Sequence, residues 1–312
     1  MKTEVTLIGQ WSCPRIHDMS RLLFALFLFA ACLAAAYAQD DDDKIACRAY
    51  PPTTASYKKK LWDGYEISLG PARNATGAGE DQCTAAIYNA AGKVVFRTTG
   101  FGVILDEDVT GMDFDGDGKG EVVFRTDEAG GAHCCWIDNV VTLAPKPHKL
   151  FDVGQGAAVN FHKDKDGKMV IWELVGGTTD YTSGMGRPYA ERVYRVKAGK
   201  LEDATPEFCG EIFAKTREAD DWNRTLTPEN LKKLQSAKKF GGEGNFELDE
   251  VVSALLSRAL QRVLCRQYDE AMADLDLWPA DSRDEMKDNF AESIKTYSPQ
   301  FAARLEGEPA PK

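Results

Sequence analysis

The chain has 312 residues, with 49 acidic side chains against 38 basic ones, a net charge of −11. That excess of negative charge argues against nucleic acid and anionic membrane surfaces as partners and suits a protein that meets divalent cations. At this length, with 43% hydrophobic residues, it holds enough apolar material for one large or two ordinary domains.

The first residues read as an export signal. Arg15 and Arg21 precede an apolar run, LLFALFLFAACLAAA over residues 22–36, and Ala36-Tyr37-Ala38 follows as an A-x-A cleavage site. The run is shorter than the roughly 20 residues a spanning helix needs, and four aspartates at 40–43 come directly after it. Residues 1–38 are therefore expected to be a signal peptide, with Met19 as the true start. The mature chain, with no transmembrane segment, is expected to be secreted or periplasmic. Phe29-Ala30-Ala31-Cys32 loosely resembles a lipobox and leaves a second reading, a lipoprotein anchored at Cys32. Residues 39–64 read as an acidic, solvated mature N-terminus. Their opening QDDDDKI resembles a trypsinogen activation peptide, but Ala46-Cys47 follows where a serine protease needs Val-Gly-Gly, and no GDSGGP-like loop exists.

Cysteine usage agrees with export. Cys13 and Cys32 fall in the leader, leaving Cys47, Cys83, Cys134, Cys135, Cys209 and Cys265 for up to three disulfides. Spacing leaves the connectivity open. A Cys209–Cys265 bridge is the pairing expected to tie the helical region to the rest.

Residues 65–212 read as an all-β domain. Short runs rich in β-branched and aromatic residues predict strands over 65–69, 84–88, 94–98, 102–105, 121–125, 136–143, 170–174 and 192–196, separated by turn pairs such as Ala91-Gly92 and Ala198-Gly199. Two stretches repeat one pattern. Asp115-Gly116-Asp117-Gly118-Lys119 runs into Val122-Val123-Phe124, and Asp164-Lys165-Asp166-Gly167-Lys168 runs into Val170-Ile171-Trp172. Asp117 and Asp166 stand 49 residues apart, the size of a β-repeat unit. At most three such units fit, fewer than a closed propeller requires.

The first of these stretches, DFDGDGKGE from Asp113 to Glu121, concentrates negative charge. At an effective dielectric near 20, like charges 4–5 Å apart repel by roughly 3–4 kcal/mol before screening. A hard cation reverses the sign of that term. Asp113, Asp115 and Asp117 hold positions 1, 3 and 5 of a loop, Gly118 allows the bend at 6, Lys119 offers a carbonyl at 7, and Glu121 closes the set at 9. It is not an EF-hand, because position 12 is Phe124 and a strand follows. A plain turn would need fewer acids, since Asp-Gly pairs favour hairpins unaided.

A calcium loop that opens into a strand and closes at its ninth position resembles the FG-GAP or VCBS-type repeats of integrin-like propellers and exported bacterial proteins. Phe101-Gly102 and the 49-residue spacing add to the resemblance, which covers about residues 65–205. It implies a partial propeller-like or stacked β-meander or sandwich domain. It also implies a structural Ca2+ ion held by Asp113, Asp115, Asp117, the carbonyl of Lys119 and Glu121. The second copy departs from the pattern, with His162 and Val170 at positions 1 and 9, and reads as a hairpin turn.

Two further stretches are candidates for chemistry or recognition. His133-Cys134-Cys135 pairs an imidazole with thiols, but cysteines in even number in an exported chain read as structural. The irregular stretch 176–189, GGTTDYTSGMGRPY, carries Tyr181, Arg187 and Tyr189 on a β scaffold and could contact a protein or glycan.

Beyond a linker at 213–226, residues 227–306 read as a small antiparallel helical domain. Thr227-Pro228 is a helix start, and residues 248–266 carry Val251, Val252, Leu255, Leu256, Ala259, Leu260 and Val263 on one wide face. Helices are also expected over 268–277, over 283–295 with Ser282 as its cap, and from Ser298-Pro299 to about 305, with a disordered tail at 307–312. The leading expectation is an exported, calcium-stabilised binding or scaffolding protein. The competing one is an extracellular hydrolase with a site at the β–helical interface or in the 176–189 stretch.

Overall fold

The computed structural model describes residues 47–48, 56–72, 82–127, 136–154, 159–177, 181, 188–215, 217–237 and 246–307. Contacts divide the chain into Met1–Ile45 and Ala46–Lys312, and every described residue belongs to the second unit. The expected leader, Cys32, the acidic run at 40–43, and the residues His133, Cys134, Cys135 and Arg187 lie outside the described residues.

The described strands form three open antiparallel sheets, each built on four strands consecutive in the chain. The first is a meander of β2 (Tyr57–Lys60), β3 (Glu66–Pro71), β4 (Cys83–Tyr88) and β5 (Val94–Gly100). The second contains β6 (Gly102–Leu105), β7 (Val122–Asp127), β8 (Trp136–Thr142) and β9 (His148–Val153), with β1 (Cys47–Arg48) added beside β6. The third contains β10 (Val159–Lys163), β11 (Met169–Gly176), β12 (Tyr189–Lys197) and β13 (Lys200–Asp203). In all three, the link between the first and second strands of the meander carries Asp-Gly: Asp63-Gly64, the pair Asp115-Gly116 and Asp117-Gly118, and Asp166-Gly167. Gly64, Gly116, Gly118 and Gly167 have φ of 77, 81, 83 and 76°, where a side chain is strained.

The second sheet sits between the other two. Ile67, Leu69 and Ile87 of the first sheet share a core with Val103, Val122, Phe124 and Val141 of the second. On its opposite face Val123 and Val140 share another with Val159, Met169 and Ile171 of the third. Val122, Val123 and Phe124 are each 0% exposed, which explains why β7 reads as an unbroken apolar run instead of an alternating one. A disulfide joins Cys47 on β1 to Cys83 on β4.

The third sheet packs its remaining apolar surface on helices: α1 (Thr205–Lys215), α2 (Arg217–Thr225), α3 (Pro228–Gln235), α4 (Phe246–Leu264), α5 (Tyr268–Leu275), α6 (Arg283–Ile294) and α7 (Pro299–Leu305). The wide face of α4 is buried as its period requires, with Val175 and Ala190 from the sheet joining Leu255, Leu256 and Leu260. Thr227 caps α3, its Oγ1 accepting from Asn230 N at 3.2 Å. No described helix is long and apolar enough to cross a membrane.

Several expectations need correcting. Residues 205–212, read as the end of the β domain, begin helix α1, and the stretch 213–226, read as a linker, holds the end of α1 and the whole of α2, with Trp222 4% exposed in the helical core. Residues 57–60, read as part of a solvated terminus, are strand β2. Ser282 stands at the start of α6, but its hydroxyl accepts from Trp278 Nε1 at 3.1 Å and does not cap the helix. Cys209 and Cys265 are bonded as expected, yet the bond joins α1 to the residue that follows α4, within the helical part.

Candidate metal centre

The acidic loop between β6 and β7 is fixed from its ends inward. Gly111 N donates to Glu121 O at 2.7 Å and Glu121 N to Met112 O at 2.9 Å, so the loop closes as a pinched hairpin. The pinch requires glycine, since a Cβ on Gly120 would lie 2.4 Å from Gly111 O. Phe114, between the first two aspartates, turns the other way and is 3% exposed. It packs edge-on against Phe151 and Phe161, with centroids 6.0 and 5.5 Å away. One alternation along the chain therefore sends Phe114 into the core and Asp113 and Asp115 to the other side.

The three aspartates come together. Their carboxylate oxygens lie within 4.8 Å of one another. Backbone amides already hold part of each group: Gly116 N and Gly118 N donate to Asp113 at 2.7 and 2.9 Å, Asp117 N to Asp115 at 3.1 Å, and Lys119 N to Asp117 at 2.8 Å. Those bonds are the ordinary turn chemistry of Asp-Gly sequences. On their own they are no sign of an ion.

Glu121 is the residue that ordinary turn chemistry leaves unexplained. It is 0% exposed at the base of the loop. Its Oε2 accepts from Phe114 N at 2.7 Å, while its buried Oε1 has no hydrogen-bond partner. It stands outside the 4.8 Å trio. Burial pushes its carboxyl up to about 7, with the charges of Asp115, Asp113 and Asp117 adding to the rise and the Phe114 N–H opposing it. A buried carboxylate oxygen without a donor costs several times an ordinary hydrogen bond. The donor set is all oxygen, with four acids in nine residues, and fits a hard cation of the calcium type better than a zinc-like ion.

The second turn differs. Asp164 accepts from Asp166 N, Lys168 N and Arg195, at 2.9, 3.0 and 3.1 Å. These donors hold its carboxyl below the usual range against the opposing effect of burial. A carboxylate so supplied has no need of a metal.

The 176–189 stretch is only partly described. Tyr181 is 8% exposed, stacked edge-on to Trp278 at 5.1 Å, and its hydroxyl accepts from Asn289 Nδ2 at 2.6 Å. It is a packing residue of the helical core. Tyr189 opens β12, and its amide donates to Ser257 Oγ on α4 at 2.9 Å. At the sheet–helix junction, Glu173 accepts from Gly154 N at 2.9 Å and from the Tyr194 hydroxyl at 2.7 Å. Arg192 lies over the rings of Tyr194 and Tyr297 and 3.5 Å from Asp203. These groups are engaged with one another.

Sequence reasoning placed the acids in register but missed the role of Phe114. The available signal was an aromatic residue among aspartates, where a solvated turn has no use for one.

No protein-family model matches the chain, and no curated protein matches it. Among solved structures, it is similar to a rhamnogalacturonan lyase from Bacillus licheniformis at 13% identity, with a TM-score of 0.24. The match covers 45% of this chain and 30% of the lyase, so this chain spans under a third of that enzyme. A likeness of this size carries no argument about activity.

Proposed function

We propose that this is an exported binding or scaffolding protein, in which a calcium ion at residues 113–121 fixes the second β-meander against the third. The observation that carries the reading is the buried, partnerless Glu121 Oε1 beneath the aspartate trio. Asp113, Asp115, Asp117 and Glu121 would hold the ion, with the Lys119 carbonyl as the fifth expected ligand. When bound, it would supply positive charge to a loop whose own lysine is exposed. The likeness to FG-GAP or VCBS-type repeats is supported by three consecutive four-stranded meanders with Asp-Gly after the first strand of each. Export is supported by the two disulfides.

Calorimetric titration of the full chain with CaCl2 after chelation tests this. One calcium per chain is expected, lost in Asp115→Asn/Asp117→Asn and weakened at least tenfold in Glu121→Gln. Absence of calcium binding by the wild-type chain would refute the site.

A further inference from the structure

The outer face of the first sheet carries a second feature that the calcium loop does not explain. Cross-strand partners share a face of a sheet, and the register sets Lys58 opposite Ser68, Ser68 opposite Ala86 and Ala86 opposite Arg97. Beside that row, Gly70 pairs with Thr84 and Thr84 with Thr99. In these two rows the inner strands present only small residues, while the edge strands raise a lysine and an arginine. The result is a trough about three strand spacings wide, or about 14 Å between edge-strand backbones. It forms a cleft of about 520 Å³, floored by Ser68, Gly70, Thr84 and Ala86 and reached by Tyr88 at one end.

The small floor is enforced. A Cβ on Gly70 would stand 2.5 Å from Ser56 Oγ, so no larger residue fits without moving the edge. The charge is also set against the rest of the chain. In a protein of net charge −11, this face carries Lys58, Lys60 and Arg97 against Glu66, which pairs with Lys58 at 3.6 Å. Arg97 is exposed and has no ion-pair partner among the described residues. A guanidinium standing free above a hydroxyl-lined floor is poised for a planar anion.

We propose that this trough binds an acidic oligosaccharide, with Arg97 and Lys58 taking its carboxylates and the Ser56, Ser68 and Thr84 hydroxyls facing its own. Side-chain hydroxyls donate and accept alike, as sugar hydroxyls do. The volume lies within the range of small-ligand sites and exceeds what a lone anion fills. The lining is too polar to favour an apolar ligand. One tyrosine is too little aromatic surface for single-stranded nucleic acid, which needs successive stacking platforms. The proposal deepens the binding-protein reading and rests on it.

The test is calorimetric titration of the full chain, in EDTA so that calcium cannot bridge carboxylates. The probes are a hexamer of a uronic acid, a neutral hexasaccharide, inorganic phosphate and a ten-nucleotide oligothymidylate. Binding is expected for the hexauronate alone, weakened at least tenfold in Lys58→Ala/Arg97→Ala and less in Arg97→Lys, with unchanged melting temperatures. Equal binding of the neutral sugar, tighter binding of phosphate or oligothymidylate, or wild-type affinity in the double variant would overturn it. Asp115→Asn/Asp117→Asn should bind hexauronate normally. A wild-type chain that binds calcium but no hexauronate sinks the trough alone, and the reverse result sinks the calcium site alone.

Discussion

Gln261 of α4 grips Glu191 of β12 at both backbone groups: its Oε1 accepts from Glu191 N at 2.7 Å and its Nε2 donates to Glu191 O at 2.9 Å. Ser257 Oγ takes the amide of Tyr189, and Thr205 Oγ1 takes that of Val193 at 3.0 Å. Beyond this point β13 pairs with β12 from Tyr194 onward. Helix side chains therefore continue a backbone ladder where the strand partner stops, and an otherwise open edge is closed. The helical part is joined to the third sheet by hydrogen bonds as well as by apolar packing.

Gln261 is 0% exposed, so replacing it strands two buried backbone groups. Gln261→Leu should cost about 2–6 kcal/mol, from about 1–3 per unsatisfied group. Urea denaturation reads this as a lower midpoint at unchanged slope. A loss under 0.5 kcal/mol would show that the contact is incidental.

Phe114→Ala should cost about 3–5 kcal/mol, as for other buried aromatic truncations. It should also weaken calcium binding, because the loop loses the anchor that sets Asp113 and Asp115 apart from the core. Phe114→Leu should recover most of both. A truncation that lowers stability while leaving calcium affinity untouched would separate packing from the site.

Asp138 is 1% exposed and pairs with Arg125 at 3.1 Å. Burial holds its carboxyl above the usual range, with Arg125 opposing and Asp106 adding to the rise. A folded-state value above the unfolded one means that stability is lost as pH rises through the carboxylate range. Asp138→Asn should therefore flatten the acid end of the stability profile and cost little at pH 7. Arg125→Met should cost about 2 kcal/mol at pH 7, less than the about 3–5 of a fully buried pair because Arg125 is 36% exposed. Urea midpoints at pH 4.5 and 7 decide the order. A larger loss in Asp138→Asn would contradict it.

Cys209→Ala/Cys265→Ala removes a bond that closes a sequence separation of 56 residues. Chain-entropy reasoning gives about 4 kcal/mol, within a usual range of about 2–5. The melting temperature of the double variant, compared with that of the oxidised wild type, measures it.

What the sequence revealed depends on where each segment lies in the stack. The period of α4 was plain because one face is apolar and the other is not. The interior strands β3, β4, β7, β8, β11 and β12 were legible as apolar or β-branched runs. The described strands that escaped notice, β1, β2, β9, β10 and β13, all stand at or near sheet edges and carry sequences such as YKKK and KLED. Edge strands are charged to discourage pairing with other chains, which erases the alternation a reader looks for. Helix α2 was missed because READDWNRT offers a single large apolar residue, Trp222, and one residue makes no period. At the candidate site the register of the acids was visible from spacing. The burial of Glu121 and the anchoring by Phe114 were not, and the anchor depends on Phe151 of β9 and Phe161 of β10, strands the sequence does not signal.

The most direct test of the central claim is the melting temperature of the full chain in millimolar calcium and in EDTA, beside Asp115→Asn/Asp117→Asn. At 100 times the dissociation constant, binding adds about 2.7 kcal/mol, or about 5 °C for a unit of this size. The account predicts that rise in the wild type and none in the variant. Equal melting in calcium and EDTA for the wild type would contradict it and leave residues 113–121 as a turn.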